Sequence, residues 1–157
     1  MFDASKPVAD NRGEIYRYQD DGFVATWNWN AGMNPADIFK AVDDLYAAVE
    51  EGRALYESSF GVCPDFRVGI HGGKVIVCEE GDLRRNIAFY GDTINIAARM
   101  EAKAKSVGVD CVVTSDIATL HSDTAGRLIE IGEEDVRGIN KKIKSYGFNR
   151  LRALKIT

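Results

Sequence analysis

The sequence predicts an α+β fold, a mainly antiparallel sheet with helices packed on one face, and three observations carry that reading. Short runs rich in β-branched and aromatic residues come in pairs around turn residues, at 14–18 with 23–29 and at 66–71 with 74–78. Two long segments, 35–60 and 92–107, carry helical start signals. The strands arrive as hairpins between helices instead of strict strand–helix–strand units, which argues against a parallel doubly wound sheet.

The elements follow in order. Between the first two strands lies Gln19-Asp20-Asp21-Gly22, a turn whose tip carries two carboxylates. Asn34-Pro35 supplies an N-cap followed by proline at the first helical position. Ile38, Val42, Leu45, Val49, Gly52 and Tyr56 step by four and three, so they share one stripe of a single helix ending near Phe60-Gly61. The runs FRVGIH and KVIVC around Gly72-Gly73 read as a second hairpin. After a charged loop at 81–85, a brief strand around Ile87 leads to Gly91-Asp92, which opens a helix to about Val107. A strand at 110–114, a short helix capped by Ser115, a strand at 127–131 and a last strand at 144–151 complete the chain.

With 157 residues, 45% hydrophobic and 28% charged, the chain has the size and composition of one domain with a real core. Its 15 glycines and 3 prolines exclude collagen-like and low-complexity classes. A net charge of −4 gives no broad basic surface, so no nucleic-acid partner is expected and any phosphate must be gripped locally. Cys63, Cys78 and Cys111 are an odd number without CxxC spacing, which suggests neither a disulfide framework nor a cysteine zinc site and fits a reducing compartment. No apolar run approaches the ~18 residues of a membrane span. The expected location is the cytoplasm, either as such or as the cytosolic domain of a larger or membrane-attached protein.

The segment Gly91-Asp-Thr-Ile-Asn-Ile-Ala-Ala-Arg-Met100 is the most informative for chemistry. Asn95 and Arg99 lie four apart and project from one helix face, where an amide and a guanidinium can donate hydrogen bonds to charge developing on a phosphoryl or ribose oxygen. Such pairs are also common on solvated helix surfaces, so the pair alone decides little. The histidines decide less: His71, in an apolar strand beside Gly72-Gly73, reads as a satisfied near-core residue, and His121 as a solvated one.

Four separated motifs, in order over residues 13–148, resemble the class III nucleotide cyclase catalytic domain. Glu14-Ile-Tyr-Arg-Tyr-Gln-Asp-Asp-Gly-Phe-Val-Ala-Thr-Trp27 has the layout of that family's strand, Gly-Asp turn and apolar strand. Phe66-Arg-Val-Gly-Ile-His-Gly-Gly73 looks like its glycine-bracketed histidine strand, and Tyr90 to Met100 like its characteristic helix. Val136-Arg-Gly138 and Lys144-Ser-Tyr-Gly147 match its C-terminal strands in type and order. The resemblance implies a ferredoxin-like-derived class III nucleotide cyclase fold, with residues 1–157 as a single cyclase catalytic domain. It implies conversion of ATP, or another nucleoside triphosphate, to the 3′,5′-cyclic monophosphate and pyrophosphate, in cyclic-nucleotide signalling.

Transferred residue by residue, the resemblance makes Asp21 a ligand for Mg²⁺ or Mn²⁺, ions that suit a hard carboxylate. It makes Asn95 and Arg99 the catalytic pair that orients the ribose and stabilises transition-state charge. Arg17 takes the base-selecting position and Arg137 that of a lysine touching the β and γ phosphates. Sites in the family are shared between two subunits, so a homodimer is expected. The family also opens with a strand bearing a first metal aspartate, then two helices, for which residues 1–12 leave no room. The segment 1–11, which includes Asp3, reads instead as the end of the second helix, and one metal ligand is expected to be missing. Asp20 stands in place of the usual glycine, and Ala88 where many adenylate-selective members have a polar base reader. The alternative is therefore a catalytically inactive cyclase-homology domain serving dimerisation or nucleotide sensing. A diguanylate cyclase, faintly suggested by Asp20-Asp21-Gly22-Phe23, lacks the double glycine, and a ferredoxin-like RNA-binding module is disfavoured by the acidic balance.

Overall fold

The computed structural model describes residues 4–19, 21–29, 32–84, 86–120, 126–135 and 140–150. The chain forms two compact units, one of residues 1–66 with 150–157 and one of residues 67–149.

The first unit begins with α1 (Ser5–Asp10), which ends in a Schellman arrangement: Gly13 N–H bonds to Val8 O and Arg12 N–H to Ala9 O. Arg12 there has φ 65°, a left-handed conformation usually left to glycine. Two strands follow, β1 (Glu14–Gln19) and β2 (Gly22–Thr26), paired antiparallel with Gln19 opposite Gly22, so the expected hairpin is present. Next comes α2 (Pro35–Glu51), where Asn34 Oδ1 accepts from Ala36 N–H at 3.1 Å as a cap should. The whole stripe Ile38, Val42, Leu45 and Val49 is buried. Leu45 joins Ala4 and Val8 in a core that Ile15, Phe23, Ala25, Trp27 and Phe66 cover.

The helix does not run on to Phe60 as the spacing predicted. It breaks at Gly52 (φ −84°, ψ −1°), and α3 (Arg53–Phe60) follows with no buried residue. Glycine costs about 1 kcal/mol in a helix interior. Arg53, paired with Glu50 at 2.8 Å and Glu57 at 3.2 Å, gives the second helix a solvated ion-pair surface in place of an apolar stripe.

The second unit contains β3 (Val68–Ile70), β4 (Ile76–Glu80), β5 (Asn86–Tyr90), α4 (Asp92–Val107), β6 (Cys111–Thr114), α5 (Ser115–Ala118), β7 (Ile129–Asp135) and β8 (Lys142–Phe148). Its four-stranded sheet has the order β3-β6-β8-β7, with β3 parallel to β6 and the other two pairs antiparallel. All four residues of β6 are buried, as suits an apolar central strand.

Here the second expected hairpin is corrected. The run after Gly72-Gly73 pairs forward, β4 with β5, as a separate two-stranded sheet, while β3 pairs with β6 about forty residues later. A parallel pair needs a long crossover, and β4, β5 and α4 supply it. Ser115 is the first helical residue of α5 and not its cap; Thr114 holds the cap position without a side-chain bond. The strand expected at 127–131 lies instead at β7, displaced toward the C-terminus so that Glu133 to Asp135 can pair with Lys144 to Lys142.

Candidate functional site

The helix α4 is built for presentation. Gly91, at φ 126°, makes the turn out of β5 that a side chain would strain, and Asp92 occupies the first helical turn, where a carboxylate suits the helix dipole. Thr93 Oγ1 donates to Lys74 O at 2.6 Å, tying that first turn to the segment before β4. Ile96, Met100 and Ala104 are buried on one face of the helix. Asn95 and Arg99 are exposed on another, about 6 Å apart along the axis. The expected pair thus stands side by side on a helix whose opposite face is fixed.

Gly69 explains how tightly that face is held. A Cβ at Gly69 would overlap the carbonyl oxygen of Ala97 and the backbone nitrogen of Glu101, so β3 and α4 approach backbone to backbone. Met100, Ala104 and Val112 form the core beneath, with Val109 and Ile131 packed against it.

Arg17 and Asp21 belong to the first unit. Asp21 sits exposed in the turn between β1 and β2. Arg17 is exposed on β1, opposite Val24, with its guanidinium 5.6 Å from the centre of the Tyr16 ring. The structure therefore groups Arg17 with Asp21 on one hairpin and Asn95 with Arg99 on one helix. Arg137, Asp3, Asp20 and His121 lie outside the described residues. Ala88 lies in β5 opposite Cys78.

His71 behaves as a structural residue. Its Nδ1 lies 2.7 Å from Thr114 Oγ1, and burial lowers its pKa, an effect that Asp116 partly opposes. Among the described residues no three His, Cys, Asp or Glu side chains gather as a metal cage. Cys63, Cys78 and Cys111 form no disulfide.

Sequence reasoning missed Lys103. Its side chain is 13% exposed, and its ammonium lies 3.0 Å from Glu134 Oε1 and 3.0 Å from Ser145 Oγ. A signal existed: Ile96, Met100, Lys103 and Val107 step by four, three and four, which puts a lysine on an apolar helical stripe.

A family model of the adenylate and guanylate cyclase catalytic domain matches residues 45–150, well over half of the 157. The chain belongs to that family. The matched segment contains α4 with Asn95 and Arg99; the β1–β2 hairpin precedes it. Adenylate cyclase 2 of Rhizobium meliloti (strain 1021) is 27% identical over 138 residues, which are 87% of this chain and 38% of the relative. The chain thus spans less than two fifths of that protein's length. A bacterial light-regulated adenylyl cyclase superposes with a TM-score of 0.74 at 18% identity, over 93% of this chain and 42% of that one. The guanylate cyclase domain of RhGC from Catenaria anguillulae, in complex with GTP, gives 0.66 at 18% identity, over 95% and 79%. At such identities the likeness is one of fold, and that fold is the α+β class III cyclase fold expected from the sequence. Among the described residues no helix is long and apolar enough to cross a membrane.

Proposed function

We propose that residues 1–157 form one catalytic domain of a class III nucleotide cyclase that converts ATP to 3′,5′-cyclic AMP and pyrophosphate. One observation carries this: within the family-matched segment, Asn95 and Arg99 are exposed four residues apart on a helix whose other face is buried. In the reaction the ribose 3′ oxygen loses its proton and bonds to the α phosphorus, and the bond from that phosphorus to the bridging oxygen of the β phosphate breaks. Arg99 donates to oxygens that gain charge as pyrophosphate leaves, and Asn95 orients the ribose. Arg17 reads the base, and Arg137 binds the outer phosphates.

Asp21 fits a divalent ion in a limited way. Mg²⁺ keeps several waters and takes one or two carboxylates plus substrate phosphates instead of a full protein cage, so an exposed hairpin carboxylate with triphosphate oxygens is a suitable donor set. A bound Mg²⁺ or Mn²⁺ supplies charge neutralisation and acidifies the attacking hydroxyl, as in two-metal catalysis. The active species is a homodimer in the cytoplasm. Exposed Ile76, Val77, Ile87 and Tyr90 on the β4–β5 hairpin support an apolar contact of that kind, and cysteines outside any disulfide suit a reducing compartment.

The test is cyclic AMP formation from ATP with Mn²⁺, comparing the chain with Arg99→Ala and Asp21→Ala. Turnover that falls at least ~100-fold in Arg99→Ala supports the reading. Tight ATP binding without turnover would favour the dimerising or nucleotide-sensing module, and equal turnover in all three proteins would refute the residue roles.

A further inference from the structure

We propose that Lys103 is a positioning residue for Asn95 and Arg99: its ammonium, held by Glu134 and Ser145, fixes the rotation of α4 on the sheet of the second unit. The inference rests on the cyclase reading above and adds to it a residue that touches no substrate.

The argument starts from where Lys103 stands. It shares the sheet-facing stripe of α4 with Ile96 and Met100, both buried, and its side chain is only 13% exposed. A cation withdrawn from water costs free energy unless it is paired and hydrogen-bonded. Here it is both. Nζ lies 3.0 Å from Glu134 Oε1 on β7 and donates to Ser145 Oγ on β8, also at 3.0 Å. Ser145 is fully buried, and its own hydroxyl donates to Gly132 O at 3.4 Å. One side chain of α4 is thereby bonded to both strands of the β7–β8 pair.

Stability alone does not account for this arrangement. Replacing such an ion pair by apolar groups of similar volume is often neutral or stabilising, and Met100 and Ala104 beside Lys103 show that the stripe accepts apolar residues. What apolar contact cannot supply is direction. Met100 and Ala104 meet Val112, Val109 and Ile131 through dispersion and burial, which change little when a helix turns about its axis. A charge-assisted bond to fixed partners changes at once.

The consequence falls one turn away. Arg99 lies four residues before Lys103, about 6 Å along the axis, on the same rigid helix. A rotation of roughly 10° moves a group about 6 Å from that axis by about 1 Å. Misplacement of that size at reacting atoms can cost about 100-fold in rate. Thr93, bonded to Lys74 O, holds the first turn of the same helix, so Asn95 and Arg99 lie between two directional anchors.

The experiment compares the chain with Lys103→Met, Lys103→Arg and Glu134→Gln in three measurements: melting temperature, ATP affinity with Mn²⁺, and kcat with KM. The expected result for Lys103→Met is kcat lowered about 10- to 100-fold with ATP affinity within about twofold. Lys103→Arg should recover much of the loss, and Glu134→Gln should fall between. A wild-type kcat in Lys103→Met, or a loss that merely follows the melting temperature, overturns the proposal. If Lys103→Met does not fold, Glu134→Gln decides by the same criterion, because Glu134 is 36% exposed and the amide oxygen put in its place still accepts a hydrogen bond from the Lys103 ammonium. A wild-type chain that binds ATP but makes no cyclic AMP refutes the cyclase reading, and the positioning role falls with it.

Discussion

Substituting Gly69 by alanine is the sharpest test of how the second unit is assembled. The added Cβ would overlap Ala97 O, Glu101 N and, at 2.9 Å, the carbonyl carbon of Met100. All three are backbone atoms of α4, so no side-chain rotation relieves the clash, and the helix must withdraw by about 1 Å or more to reach ordinary contact. Overpacking typically costs about 1–3 kcal/mol. With backbone on both sides the upper end applies, about 3 kcal/mol, which for a chain of this size lowers the melting temperature by roughly 6–12 °C. The withdrawal also carries Asn95 and Arg99 with it, so turnover should fall in the fraction that stays folded. Gly126→Ala is the control. Nothing lies within 4 Å of its added Cβ, and the change should stay within about 0.5 kcal/mol. Circular dichroism melts of both variants measure the difference. A Gly69→Ala melting point within about 1 °C of the parent would refute the backbone-to-backbone packing of β3 on α4.

Three further outcomes are expected. Val42→Asp, at a position 3% exposed on α2, should cost about 3–5 kcal/mol by burying an unpaired charge, and a melt close to the parent's would contradict the buried stripe. Arg12→Gly should stabilise the first unit by about 1 kcal/mol, since glycine adopts φ 65° without the cost a side chain incurs; denaturant titration with an unchanged m-value would show it, and a lower midpoint would count against the left-handed cap. His71 has a folded pKa below its ordinary 6.5, so the folded state binds fewer protons than the unfolded one. Its contribution is complete above that ordinary value and is lost as pH falls through 6.5 toward the folded pKa. Melts between about pH 7.5 and pH 5 should therefore show the parent losing stability relative to His71→Gln, and parallel curves would sink the assignment.

The parts of the fold that were legible in the sequence are those whose causes are local. The β1–β2 hairpin follows from two β-rich runs around an acidic turn, α2 from Asn34-Pro35 and a regular stripe, and α4 from its Gly91-Asp92 start. The partner of β3 was not legible. Gly72-Gly73 is good turn chemistry, and a short-range reading makes it a hairpin; the actual partner of β3 is set by an apolar strand about forty residues on, whose four residues need cover on both faces. The break of the long helix is a similar case. Gly52 and Tyr56 keep the spacing of the stripe, but spacing cannot tell whether any core remains for the stripe to meet.

The candidate site divides along the same line. Asn95 and Arg99 could be read because helical geometry alone puts them together, and the family match covers them. Lys103 could also have been read, since a lysine on an apolar stripe is more informative than an exposed one, yet Glu134 and Ser145 lie more than thirty residues away and their pairing depends on the β7–β8 register. That register includes an irregularity between Glu130 and Gly132, with Gly132 at φ 138°, and Glu133 and Glu134 sit opposite Lys144 and Ile143 beyond it. The bulge decides which strand residues face α4. The placement of α4 thus depends on three kinds of contact: Gly69 sets how near it comes, Thr93 ties its first turn, and, on the proposal above, Lys103 sets its rotation. Each acts inside the second unit, so the presentation of Asn95 and Arg99 is a property of that unit's own packing.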